Sequence, residues 1–265
     1  MNQFATELKS SYAFVERHFN LARRYFGWEL VFLVYTIVNS LTICFIGYTQ
    51  GKDKVLYLMV GAMLWGFLSI LFHEISESVS WERWEGTIEY TFMAPIHRFT
   101  HLAGMCFYSI IYGIIRTSLL LLAVAVFFSL SLKDANLLAA LVILVVSSLS
   151  FIGLGLMAAV LPLMSPEKGS QATHIFQAVL LLISGVYYET SILPAWIRPL
   201  SVVSPATYTL RTMRAALLEG RPLAEMQNTL LLLLAIGLVL IPLGLLVFRQ
   251  AEIYAKKSGK LKRSG

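Results

Sequence analysis

An all-α, polytopic membrane protein with six transmembrane helices is the fold class this sequence predicts. Three observations carry it. Hydrophobic residues make up 57% of the 265 residues, and the mean hydropathy is +0.72, against about 45–50% apolar residues in a soluble domain. Those residues gather into long runs, each near the ~20 residues that cross the hydrocarbon core of a bilayer. Only 14% of residues are charged, and most of them lie between the runs.

Residues 1–27 form a predicted amphipathic interfacial helix, and residues 28–265 a single six-span transmembrane domain. In the first segment Phe4, Leu8, Tyr12, Val15, Phe19, Ala22 and Phe26 recur every three or four residues, with Lys9, Arg17, Arg23 and Arg24 between them. One apolar stripe and one basic face suit the headgroup region. This segment lacks the short apolar core and small-residue cleavage site of a secretory signal, so no cleavable signal is expected.

The six spans fall at about 28–48, 55–75, 102–128, 137–161, 172–188 and 228–248. Glu29 sits at the watery end of the first, and His73, Glu74 and Glu77 mark the exit of the second into water. Gly61 and Gly66 in the second span, and Gly153 and Gly155 in the fourth, permit close helix contact. Ser165-Pro166-Glu167-Lys168-Gly169 is a turn by composition. A basic tail occupies 249–265. Cys44 and Cys106 lie in apolar runs without metal-ligand spacing and are expected to be free.

An even number of spans places both termini on one side, and that side holds most of the 21 Lys and Arg residues. Positive charge favours the cytoplasm, so both termini and the loop after the second span are expected there. The net charge of +6 then faces anionic lipid, and no nucleic-acid partner is implied.

That loop, residues 81–95, is charged and aromatic. Glu82, Glu85 and Glu89 recur at helical spacing, and so do Trp84, Ile88 and Phe92. On one helix the carboxylates share a face and the apolar residues another. An ordinary cytoplasmic loop is the plain alternative. Gly86-Thr87 is a point of interruption, and Pro95 limits the helix end. Residues 189–226 are too polar and proline-broken to span, yet too apolar for a free linker. Short helices dipping into the outer leaflet, with their broken backbone buried in protein, reconcile the two.

Glu82-x-x-x-Gly86-Thr87-Ile88-Glu89 followed by Pro95 resembles the signature between the second and third spans of the type-2 ABC exporter permeases. Leu193-Pro194-x-Trp196 and Ser204-Pro205-x-Thr207-Tyr208, with Arg211 or Arg214 after them, resemble that family's external re-entrant hairpin. The resemblance implies that 81–95 is a coupling helix docking on a separate ATP-hydrolysing subunit through Glu82, Arg83, Glu85, Gly86, Thr87 and Glu89. It also implies a second permease copy, identical or similar, ATP and Mg bound in the partner subunit, and location in the cell's inner membrane. The substrate is expected to be an amphiphile: a drug, lipid or peptide. No phosphate-binding loop is present, because Gly51-Lys52 is followed by Asp53 and Gly259-Lys260 by Leu261 rather than Ser or Thr. No catalytic residues and no cofactor are therefore assigned to this chain.

Arg116 lies about 21 Å into the third span at 1.5 Å per residue, where a charge is costly and faces a partner or a wet cavity. Tyr108, Tyr112 and Arg116 share one helix face at a spacing of four. That face is expected to line the translocation path or the contact with a second copy, with Glu189 gating the outer end. A structural ion pair or snorkelling is the alternative for Arg116. The competing function classes are an ATP-independent secondary transporter, a membrane-embedded enzyme and a non-transporting sensor or assembly partner. The first would show several mid-span carboxylates, which the spans above lack. The second would show clustered His or Asp at one depth, and His73, His97 and His101 are the nearest to a metal cluster.

Overall fold

A computed structural model describes residues 3–259, all of them in helices, turns and loops without a strand. The helices in chain order are α1 (Gln3–Arg24), α2 (Phe26–Tyr48), α3 (Lys52–Glu85), α4 (Ile88–Met93), α5 (Arg98–Phe127), α6 (Leu137–Ala158), α7 (Val160–Met164), α8 (Pro166–Ser184), α9 (Arg198–Val203), α10 (Pro205–Leu218) and α11 (Leu223–Lys257). The tail residues Lys260, Lys262 and Arg263 lie outside the described residues.

Five segments are long and apolar enough to cross a membrane: α2, α3, α5, α6 with α7, and α11. The fold class is therefore the predicted one, an all-α polytopic membrane protein. The expected fifth span is shorter. Helix α8 stops at Ser184 because Gly185 takes a left-handed conformation (φ 70°), and its apolar stretch is Gln171–Ser184.

Helix α3 is the centre of the bundle, with 67% of its apolar window buried, against 17% for α2 and α11. Phe67, Leu64, Leu71 and Phe72 on α3 pack with Ile143 and Phe151 of α6 and Met213 of α10. The second span was expected to leave the membrane region near residue 75. Instead α3 continues unbroken to Glu85, because Ile75 and Val79 extend its buried stripe. Polar Ser76 is satisfied by Thr173 of α8 (Oγ–Oγ1 3.0 Å) rather than by water.

Helices α6 and α11 approach closely through glycine. A Cβ on Gly153 would lie 2.5 Å from the backbone of Leu240, and one on Gly244 would lie 2.6 Å from the Gly153 carbonyl. Removing side chains at such contacts lets helix backbones gain dispersion contact where lipid offers no hydrophobic drive. Helix α1 uses the same device against α5, where a Cβ on Gly104 would lie 2.6 Å from the Ser11 carbonyl.

The outer section between α8 and α11 folds back on the bundle as short helices. Ala206, Leu210, Met213 and Leu217 of α10 are buried. Of the two candidate arginines, Arg214 points inward: it donates to the Val186 carbonyl at 2.8 Å and lies 3.6 Å from the centre of the Tyr57 ring. Arg211 is exposed. The Pro-broken backbone thus finds partners inside the protein.

Candidate functional site

The 81–95 segment is two pieces rather than one helix. The last turn of α3 ends at Gly86 (φ 73°), with the Gly86 amide donating to Arg83 at 3.3 Å and the Thr87 amide to Glu82 at 2.9 Å. That is the glycine C-terminal cap of a helix, a left-handed residue with a long 6→1 bond. Helix α4 then restarts in a new direction. The shared faces expected on one continuous helix do not form, since the helical register is lost at Gly86.

Glu82 and Arg83 are consequently buried, whereas Glu85 and Glu89 are exposed. Trp84 is exposed too, although it was expected to share a face with Ile88 and Phe92, which are buried. The outward surface of the turn is two carboxylates, Glu85 and Glu89, beside exposed Trp84, Tyr90 and Met93. The inward surface, Ile88 and Phe92, enters a cluster with Val79, Leu102, Met105, Leu163 and Phe248. Six residues of helix are not stable alone in water; those two anchors hold α4 in place.

Glu82 is 1% exposed and holds three helices together. Its Oε1 accepts from Arg17 of α1 at 2.8 Å and lies 3.3 Å from His101 Nε2 of α5. Phe14 packs on the His101 ring at 4.6 Å. Beside this triad, His18 of α1 is held through both ring nitrogens. Its Nδ1 bonds the Phe14 carbonyl at 2.8 Å and its Nε2 the Ser78 hydroxyl at 2.9 Å. Burial holds its pKa below the ordinary 6.5, with Arg17 and His101 lowering it further and the Phe14 bond and Glu82 opposing.

The folded state therefore binds fewer protons at His18 than the unfolded one. Its contribution to stability is full above pH 6.5 and is lost as the pH falls below that value. The apparent Tm in detergent is expected to fall between pH 7.5 and 5.5, and to fall less in His18→Gln. Equal declines in the two proteins would remove His18 from the account.

The second half of the segment is held by Arg98 at the start of α5. Its Nε donates to both Glu252 oxygens of α11 (3.0 and 3.2 Å), its Nη1 to the Thr91 carbonyl at 2.8 Å and its Nη2 to the Phe92 carbonyl. The guanidinium also covers the Phe92 ring at 4.4 Å. Lys256 completes the network on Glu252 at 2.6 Å. The planar fork of arginine serves these acceptors together, which an ammonium cannot do.

Deeper in the bundle, Tyr108 and Tyr112 stack at 5.5 Å, and Arg116 Nη1 donates to the Tyr112 hydroxyl at 2.8 Å. Tyr112 in turn donates to Glu29 of α2, which is the carboxylate partner of Arg116 at 4.0 Å. Tyr108 packs under α1 against His18 and Phe19. Arg116 lines a chamber of about 420 Å³ between α2, α3, α5 and α8 together with His73, Glu74 and His174. Glu74, expected at the watery end of the second span, lines this chamber with Arg116. Glu189 does not join this cluster: it is exposed on the outer section and accepts a hydrogen bond from Ser191.

Among the described residues no group of three or more His, Cys, Asp or Glu side chains is placed to hold a metal. His73 stacks with His174 at 6.5 Å, while His101 sits on Glu82. Cys44 and Cys106 are free and buried. Sequence reasoning missed Arg17, His101, Arg98 and Glu252 as parts of the site. The one signal available was that Arg98 and Glu252 are charges flanking apolar runs; nothing in their spacing pairs residues 154 positions apart.

These features define a polytopic membrane protein whose most buried helix ends in an outward-turned, charged turn. No curated protein matches the chain. The pattern of the ABC-2 type transporter family matches residues 12–218, and the chain belongs to that family. It is accordingly a membrane component of an ABC transporter, a permease. The matched stretch includes most of α1 and all of α2 to α10, and stops before α11, which supplies Glu252.

Proposed function

We propose that this chain is the membrane subunit of an exporter that moves an amphiphile, whether a drug, a lipid or a peptide. A separate ABC ATPase subunit would bind ATP and Mg and hydrolyse the nucleotide. A second permease copy, the same chain or a similar one, completes the path. The protein sits among lipids of the cell's inner membrane with both termini in the cytoplasm. Helix α8 acts as the fifth of six spans, and the α9–α10 section dips into the outer leaflet.

One observation carries this reading. Glu85 and Glu89 project with Trp84, Tyr90 and Met93 from a turn whose other side is buried. An ATPase that opens and closes can only move the bundle by pushing on something that does not yield. Charge at the rim gives such a contact its register and its rate of formation.

The test is purification of the tagged chain from its host with whatever accompanies it, reconstitution and parallel assays of ATP hydrolysis and export. A stoichiometric ATPase is expected. Glu85→Lys and Glu89→Lys are expected to lower transport per ATP by more than about tenfold while insertion is normal. Unchanged transport in both variants would remove the docking role. A lone chain that transports without ATP would replace the proposal with a secondary transporter.

A further inference from the structure

The chamber that holds Arg116 contains polar groups that the fold itself does not satisfy. Gln177 of α8 is 8% exposed and lines the chamber, and its Nε2 has no hydrogen-bond partner among the described residues. Arg116 is paired through Nη1, but its Nη2 has no partner either. A buried donor left unpaired costs about 1–3 kcal/mol, more when charged. Two such donors at one cavity are explained by a guest that supplies acceptor oxygens.

The lining carries one basic and one acidic side chain, Arg116 and Glu74, among amides, hydroxyls and imidazoles. A purely anionic guest would meet the Glu74 carboxylate, and a purely cationic one the Arg116 guanidinium. Glu29 of α2 already pairs with Arg116 on the Nη1 side, so hydroxyls alone would leave Nη2 without an anionic acceptor and Glu74 without a cation of its own in a bundle of low dielectric. A headgroup bearing both signs answers all three groups: its phosphate faces Arg116 and Gln177, and its ammonium faces Glu74.

The shape agrees with this. Tyr35 and Asn39 of α2 line the chamber and are exposed. The chamber therefore opens on the side where α2 shows Val31, Val34, Val38 and Phe45 outward. An acyl tail can stay in lipid along α2 while the headgroup enters. Asn39, about halfway along α2, is a polar residue that would be costly facing lipid alone.

We propose that this chamber is a binding site for an amphiphile with a zwitterionic phosphate–ammonium headgroup. The inference deepens the export reading and rests on it for its role in transport, though not for binding.

The test uses the full-length protein in peptidiscs, titrated calorimetrically with four probes of matched short acyl tails: a phosphatidylethanolamine, a phosphatidylglycerol, a trimethylammonium lipid and a glycolipid. The zwitterionic probe is expected to bind about tenfold tighter than the others. Glu74→Gln is expected to abolish its advantage over phosphatidylglycerol. Gln177→Leu is expected to weaken both phosphate probes several-fold and to leave the trimethylammonium probe unchanged. Equal or tighter binding of any other probe to the unaltered protein, or a preference that survives Glu74→Gln, would overturn the assignment. Selective binding without ATP-driven export would leave this site standing and sink the export reading. Export with no headgroup preference would do the reverse.

Discussion

Glu82→Ala is expected to destabilise the protein by about 3–5 kcal/mol, the cost of removing one partner from a buried ion pair. The carboxylate meets both Arg17 and His101. Its loss leaves His101, 1% exposed, facing an empty acceptor position and removes the ion pair between α1 and α3, leaving the His18–Ser78 hydrogen bond to tie them. The half-exposed Arg17 can recover part of its hydration, which sets the lower end of that range. In detergent the apparent Tm should fall by roughly 10 °C. Glu85→Ala, three residues away and exposed, should stay within about 0.5 kcal/mol. Glu82→Gln should fall between the two, since it keeps an acceptor and loses the charge. Equal Tm values for Glu82→Ala and Glu85→Ala would show that the triad does not hold α1.

Arg98→Ala is expected to loosen α4 while the rest of the bundle stays intact. Arg98 receives no help in bonding the Thr91 and Phe92 carbonyls, and these stand at the end of a helix of six residues. Amide exchange across 88–93, followed by mass spectrometry, should quicken by more than about tenfold, the equivalent of 1.4 kcal/mol of local opening. Glu252→Ala should produce a smaller rise, because Arg98 keeps its two carbonyls. The double variant should cost less than the sum, with a coupling of about 1–3 kcal/mol. Arg249→Ala, an exposed change on the same helix as Glu252, serves as the control and should leave exchange unaltered. Strict additivity would mean that Arg98 and Glu252 act separately. The pair matters because it ties α4 to α11, so under the proposed docking a push on Glu85 and Glu89 would reach α11 as well as α3 and α5.

The membrane class, the helical content and the place of the charged turn were legible in the chain itself. They depend on composition and on short-range periodicity: long apolar runs need a helix in lipid, because every backbone group must be paired within it. The interruption at Gly86-Thr87 was legible for the same local reason. Glycine takes the left-handed conformation that ends a helix without steric cost.

The division of the glutamates was not legible. Glu82, Glu85 and Glu89 sit on one face only if the helix is continuous, and a cap that redirects the chain turns Glu82 inward and leaves the other two outside. Nor could spacing show that Glu29 partners Arg116, that Glu74 shares a chamber with Arg116, or that Glu252 reaches Arg98. Those pairings join residues far apart in sequence, and they form because packing closes distances that local periodicity does not encode. By itself the sequence determined what kind of surface each helix must bury. The tertiary structure decided which charge meets which, because a buried charge needs a partner that only the assembled bundle can bring within reach.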